Sequence, residues 1–279
     1  MRREDYETMH HLETTFWWFE GMRDIVQSLL SPEIQHGPDS FLDVGCGTGI
    51  MLHWFPAQFH PKLMAGCDLS EVAIGFCRQT IAGLTGWERT LNRSGLLLTR
   101  GSVLQLPFQD ASFDVVTNLD VLDSMPLNGG DLTALRELHR VLRPGGVALI
   151  RAPAYNWLLS GHDRNFESVH RFSVPELAGK MERVGFRVTR RTYANSILFP
   201  LALVRRLLRK IGIANQGTDT QPWPPALQWV NAPMTACLRA EARALRSGFN
   251  LPFGLSAICI GKKVASRESR VASMAAPRA

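Results

Sequence analysis

Cysteine is scarce in this chain, and its five cysteines (Cys46, Cys67, Cys77, Cys237 and Cys259) show no paired spacing. An odd, unpaired set is neither a disulfide framework nor a zinc-ligand pattern. Four of the five lie in apolar or glycine-rich stretches, which suits small core residues, and no metal site is expected. No apolar run approaches the roughly 18 residues needed to cross a bilayer. The opening residues Arg2, Arg3, Glu4 and Asp5 lack the apolar core of a secretion signal, so the expected location is cytoplasmic. Charge of one sign is also modest: the net charge is +6 and the pI about 9.4. That balance permits an anionic partner or a membrane surface without requiring either, and surplus surface arginine on a soluble enzyme is the simpler reading. No internal repeat is visible.

What is present is a glycine-rich turn, Leu42-Asp43-Val44-Gly45-Cys46-Gly47-Thr48-Gly49. It reads as a buried strand running into a turn where backbone can come close to a ligand, because glycine has no Cβ. A helix starting at Ile50 would add free N–H groups. With 279 residues and 45% hydrophobic content, the chain suits one generous domain carrying an insertion.

Taken in order, residues 1–35 read as a helical lid. Phe16, Phe19, Met22, Ile25, Val26, Leu29 and Leu30 recur at helix spacing, and Ser31-Pro32 ends the run. The block Phe16-Trp17-Trp18-Phe19 packs this lid on the domain, and Arg23 can reach a ligand carboxylate from it. Residues 36–193 then alternate strand and helix. Strands are expected at 41–44, 64–68, 96–99, 113–117 and 147–151, with a further one at 186–192. Helices are expected after Ile50, after Ser70, over 132–142 with a stop at Arg143-Pro144-Gly145-Gly146, and over 175–184. Such alternation predicts an α/β fold, a Rossmann-like, mostly parallel sheet of seven strands with helices on both faces. Ligands then bind at the carboxyl ends of the strands. Residues 194–250 are a helical insertion, with a helix through Trp229, Leu238 and Leu245, expected to wall the acceptor pocket; 251–264 supply the last strand, and 265–279 read as a disordered tail.

The turn's spacing limits its ligand. A dinucleotide fingerprint wants G-x-G-x-x-G, whereas here the glycines are Gly45, Gly47 and Gly49, with Ile50 in the sixth place. Asp43 at the strand end can accept from an amine. Asp68, ending the second strand, can take both hydroxyls of a ribose because a carboxylate has two acceptor oxygens. An amine contact and a ribose contact without a pyrophosphate cradle suggest an amino-acid nucleoside.

At this point residues 40–192 resemble the class I S-adenosylmethionine (SAM)-dependent methyltransferases. Leu42 to Gly49 is similar to the family's first motif and Gly66-Cys67-Asp68-Leu69-Ser70 to its second. Leu106-Pro107-Phe108-Gln109-Asp110-Ala111-Ser112-Phe113-Asp114 is similar to the segment before strand four, and Glu137 to Gly146 to the E-x-x-R-V-L-x-P-G-G segment. The resemblance implies that Asp43, Gly45, Cys46, Gly47 and Gly49 surround the methionine part of SAM, with Asp68 on the ribose and Leu69 on the adenine. Ser102 and Val103 stand near the adenine amine, where the family often has an acidic residue. Asn118 and Leu119 sit beside the sulfonium. A looser resemblance, carried by the lid aromatics and the 152–171 loop, is to a bacterial subgroup acting in polysaccharide, lipid and natural-product pathways.

Methyl transfer is an in-line displacement that needs alignment, exclusion of water and, for a hydroxyl acceptor, a base. Candidate bases lie after strands four and five: Asp120, Asp123, Tyr155, His162, Asp163 and His170. Of these, His162, Asp163 and His170 are assigned to proton transfer, and Asp120, Asp123 and Tyr155, with Trp18 of the lid, to holding the acceptor. No N/D-P-P-aromatic tetrad follows strand four, where Asn118-Leu119-Asp120-Val121 stands, and no Pro-Cys pair occurs there. A nucleic-acid partner is therefore not expected, and a small-molecule, lipid or saccharide acceptor is. Residues 197–211, apolar and then basic, fit either a helix packed on its own domain, the favoured reading, or peripheral contact with a membrane. A non-catalytic SAM-binding module acting through a protein partner is the alternative function.

Overall fold

The computed structural model describes residues 3–34, 37–82, 95–159, 168–210 and 225–264. The first stretch is two helices rather than one, α1 (Arg3–Leu12) and α2 (Trp17–Leu30), parted by a turn at residues 13–15. Strand β1 (Ser40–Val44) leads into α3 (Ile50–Phe59), β2 (Leu63–Asp68) and α4 (Glu71–Ala82). Ser70 Oγ accepts the Ala73 N–H at 3.3 Å, an N-terminal cap of the expected kind. After β3 (Gly95–Arg100) and β4 (Phe113–Leu119) come α5 (Gly130–Val141) and β5 (Leu142–Pro153). They are followed by α6 (Val174–Arg183), β6 (Phe186–Ala194), α7 (Phe199–Lys210), α8 (Asn231–Arg246) and β7 (Ser256–Lys263). Short 3-10 turns cover Leu122–Ser124, Asn156–Leu158 and Pro225–Val230.

The seven strands form one sheet in the order β3-β2-β1-β4-β5-β7-β6. All pairings are parallel except those of β7, which runs antiparallel to β5 and β6. Parallel neighbours need crossover helices, and these bury both sheet faces. Leu135 and Leu138 of α5 and Leu177 and Met181 of α6 cover one face. Ile25 and Leu30 of α2, Leu52 and Phe55 of α3, Ile74 of α4 and Leu238 of α8 cover the other.

Three details depart from the sequence reading. Strand β5 begins at Leu142, paired with Phe113, and only then pairs Val147 with Val115. The helix does end here, at Val141, but Arg143-Pro144-Gly145-Gly146 also lies within the strand as a bulge, as suits a proline without an N–H beside two glycines. Trp229 lies in a 3-10 turn, and the following helix starts at Asn231. The second half of the 194–250 insertion packs on the lid: α8 lies along α2, with Leu238 pressed on Gly21, where an added Cβ would meet it at 2.4 Å. Glu241 of α8 accepts the Asn195 and Ile197 N–H groups, each at 2.7 Å, and so fixes the exit from β6. Residues 83–94, between α4 and β3, lie outside the described residues, as does the whole of the 265–279 tail.

Candidate functional site

The carboxyl ends of β1, β2 and β4 meet where the sheet's strand order reverses direction. Register places Asp43 beside Gly66 on one side and Thr117 on the other. Asp43 is 3% exposed and accepts the Thr117 hydroxyl at 2.6 Å. Burial pushes its carboxyl up to about 7 against that hydrogen bond, and the Asp68 charge adds to the rise.

The glycine turn has a different economy from the one expected. Gly45, Gly47 and Gly49 all have positive φ, at 77°, 52° and 91°. The space a Cβ would take at Gly45 belongs to Val121 Cγ2, 2.2 Å away, and at Gly49 to Cys77 Sγ, 2.6 Å away. Both glycines therefore admit the protein's own neighbours. The N–H groups of Gly45 and Cys46 donate to the Cys67 carbonyl, that of Gly47 to Asp68 Oδ2, and that of Gly49 to the Cys46 carbonyl. A turn with these donors engaged is no pyrophosphate cradle. Cys46 is buried, and its thiol pairs with Cys77 while burial and that contact push it far up.

Asp68 is held as a platform. Its Oδ2 takes the Gly47 N–H at 2.9 Å and its Oδ1 the Ser70 N–H at 2.8 Å. Burial raises its pKa, and these backbone hydrogen bonds pull it back. Each oxygen retains lone-pair capacity for a ligand hydroxyl. The adjoining Leu69 is exposed, and Val103 is buried in the core. Ser102 Oγ accepts the Leu104 N–H at 3.2 Å, so it organises its own turn. Asn118 is fully buried; its Nδ2 donates to the Val44 carbonyl at 3.0 Å, while Oδ1 has no partner. That buried acceptor lies beside Val44 at the end of β1, where a ligand can supply what is missing, and the half-buried Leu119 after it packs against the core.

The lid lies on this turn. Glu13, between α1 and α2, is 4% exposed and accepts the hydroxyl of Thr48. Arg23 donates through Nη1 to the Glu13 carbonyl, which holds its guanidinium beside the residue that reaches Thr48. Thr80 Oγ1 donates to the Thr48 carbonyl at 2.6 Å.

On the acceptor side, Asp120 (φ 56°) is already paired within the protein. Its carboxylate takes Arg151 Nε at 3.1 Å and Nη2 at 2.6 Å, and the guanidinium lies over the Trp18 ring at 5.0 Å. Trp18, Arg151 and Asp120 thus form one strut from lid to sheet. Asp123 is buried; its Oδ2 accepts the Ser168 hydroxyl and its Oδ1 has no partner. Burial first, then the Asp120 charge, lift its carboxyl to about 6. Tyr155 (φ 62°) stacks on Tyr193 with ring centroids 5.2 Å apart, and Trp157 and Phe199 follow at 5.8 and 5.9 Å. Phe253 extends this aromatic cluster from Phe199 at 5.6 Å. His170 is bound to Glu176 at 2.9 Å and set edge-on against Phe172, lining a groove with Met125 and Lys180. His162 and Asp163 lie outside the described residues.

Glu13, Arg151, Thr117 and Tyr193 were not singled out from sequence. A charged residue ending a buried strand could have flagged Arg151; nothing local marks Glu13. Among the described residues no cluster of three or more His, Cys, Asp or Glu side chains is arranged to hold a metal ion. No described helix is long and apolar enough to cross a membrane.

Residues 42–150 match the family model described as a methyltransferase domain. The chain is 37% identical over 108 residues to the fatty-acid O-methyltransferase of Mycolicibacterium smegmatis, covering 39% of this chain and 35% of that protein. It is 35% identical over 108 residues to phthiotriol/phenolphthiotriol dimycocerosates methyltransferase 1 of Mycobacterium ulcerans, with the same coverage of 39% and 35%. The match thus spans about a third of the length of these curated relatives. In fold it is similar to the geranyl diphosphate C-methyltransferase of Streptomyces coelicolor, solved with S-adenosyl-L-homocysteine (SAH). That likeness has a TM-score of 0.54 at 16% identity and covers 86% of this chain and 78% of that one. With a glycine turn between two strand-end carboxylates on a seven-stranded sheet, residues 42–150 are a methyltransferase domain, and the fold is that of the class I SAM-dependent methyltransferases.

Proposed function

We propose that the protein transfers the methyl group of SAM by in-line displacement to an oxygen or nitrogen of a small acceptor, of lipid type. The observation that carries the donor half is the pair Asp43 and Asp68 at adjacent strand ends, astride a turn whose own N–H groups are engaged. Asp68 has room for two ribose hydroxyls. Asp43 and Arg23 serve the amino-acid end, Leu69, Ser102 and Val103 the adenine, and the unpartnered Asn118 Oδ1 with Leu119 the sulfonium region. These residues fit the group. When bound, its sulfonium supplies a methyl already activated for displacement. The chain's work is then to align the acceptor, exclude water and hold a proton.

Asp123, with a buried and unpartnered oxygen beside the β4 end, is the acceptor-side base this reading favours. The Trp18–Arg151–Asp120 strut keeps the lid over the reacting edge. Support for a lipid-type acceptor comes from the aromatic cluster of Tyr155, Trp157, Tyr193, Phe199 and Phe253 at the ends of β5 and β6. It continues into Ile197, Leu201 and Val204, each more than half exposed. Fatty-acid and phthiotriol relatives lend the same direction. Peripheral contact of residues 197–211 with a membrane belongs to this reading, since Arg205, Arg206, Arg209 and Lys210 follow those aliphatics in sequence. The test is transfer of labelled methyl from SAM into a lipid extract set beside a water-soluble metabolite extract, with the product identified by mass. Label in a lipid product supports the proposal. SAH binding with no transfer to either extract would identify the non-catalytic binding module instead.

A further inference from the structure

The donor reading leaves one buried charge without a task. Glu13 comes from the lid, thirty residues before Asp43, yet its carboxylate reaches the hydroxyl of Thr48 in the middle of the glycine turn. It is 4% exposed, and Asp43, the other carboxylate of that corner, is 3% exposed. The lid packs closely here: Met9 Cε lies 3.5 Å from where a Cβ on Gly47 would be. Arg23 is held at the same corner through the Glu13 carbonyl.

Glu13 feels the Asp43 charge, with Arg23 acting on Glu13 and both Arg151 and Asp68 acting on Asp43, so three carboxylates share two guanidinium groups and the corner is short of positive charge. Burial lifts both carboxyls to about 7, and at Glu13 the Asp43 charge adds to the rise. Buried carboxylates settle when a cation with N–H donors joins them. A cation carrying its own carboxylate would also engage Arg23. An α-amino acid is that ligand: its ammonium faces the carboxylates and its carboxylate the guanidinium.

Resting on the proposed donor site, we infer that Glu13 is a third carboxylate of that site, receiving the α-ammonium of the donor's amino-acid end together with Asp43 while Arg23 receives its carboxylate. The lid is then part of the binding site rather than a cover over it. The Thr48 hydroxyl aims the Glu13 carboxylate, and the ligand's charge bonds lid to turn. Donor binding thereby orders α1 and α2 over the reacting edge, and loss of the Glu13 charge weakens recognition of the amino-acid end alone.

The test uses calorimetry with two ligands, SAH and 5′-methylthioadenosine, which keeps the adenosine thioether but lacks the amino-acid end. For the whole chain carrying Glu13→Gln, SAH affinity is expected to fall about tenfold or more, the loss of one charge-assisted contact. Methylthioadenosine affinity should stay within about twofold of wild type. Glu13→Asp, which keeps the charge on a shorter stem, should fall between and serves if the glutamine variant does not melt cooperatively. Equal loss of both ligands would make Glu13 a latch of the lid and overturn the assignment. Unchanged affinity for both would overturn it as well. If wild type binds neither ligand, the donor reading itself fails; if wild type binds both, only the Glu13 assignment is at stake.

Discussion

Replacing Gly49 with alanine separates two costs that the structure keeps in one residue. Its φ of 91° is in the left-handed region, where a side chain costs about 1–2 kcal/mol. Its Cβ would also stand 2.6 Å from Cys77 Sγ and 3.1 Å from Cys77 Cα. The second contact is backbone, so rotating the thiol cannot relieve it, and overpacking of that kind costs about 1–3 kcal/mol. Restriction of the unfolded chain returns about 0.4–1 kcal/mol. Gly49→Ala should therefore destabilise by roughly 2–4 kcal/mol. Gly129 is the control: its φ is 95°, but nothing lies within 4 Å of the added Cβ. Gly129→Ala should cost only about 1 kcal/mol or less. Urea unfolding followed by tryptophan fluorescence reads both variants, with the midpoint and slope compared in each. Equal destabilisation of the two would refute the claim that the turn's last glycine is required by contact with α4.

Other expectations follow from single contacts. Leu238→Ala removes a fully buried side chain from the α8–α2 seam and should cost about 2–5 kcal/mol in the same unfolding assay. Glu13 and Asp43 titrate near 7 in the fold against 4.5 and 3.8 when unperturbed. The ligand-free fold thus binds more protons than the unfolded chain between those limits, so its stability should fall as pH rises from about 4 to 7 and level off above. Thermal melts across that range check the sign, and stability rising over it would contradict it. For catalysis with a hydroxyl acceptor, turnover should fall below about pH 6 as Asp123 takes up its proton. Asp123→Asn should remove that limb and most activity, while His170→Gln, already tied to Glu176, should leave the limb in place.

The fold was largely legible because strand and helix periods are local properties. The run from Phe41 to Thr192 alternates cleanly, and each expected strand exists within a few residues. Departures arose where tertiary contact outweighed local signal. Arg143-Pro144-Gly145-Gly146 has the composition of a helix stop, yet pairing of Leu142 with Phe113 draws it into β5. The insertion's second half was assigned to the acceptor side because nothing local announces that Gly21 leaves a hollow for Leu238. Within the candidate site, the placing of Asp43 and Asp68 at strand ends beside the three glycines was readable, since strand ends beside a glycine turn mark themselves. What the turn does with its N–H groups was not readable, because their acceptors, the Cys67 carbonyl and Asp68, come from the next strand. Glu13 and Arg151 acquire meaning only once lid and sheet are folded together. The ion pair of Asp120 with Arg151 was not readable either, because Arg151 comes from the neighbouring strand.

The central claim, a donor seat built on the two strand-end carboxylates, is tested most directly by calorimetric titration of SAH into wild type and Asp68→Ala. Saturable 1:1 binding to wild type, weakened about tenfold or more in a variant that still melts cooperatively, is the predicted result. No binding to wild type, or equal binding to both, would contradict it.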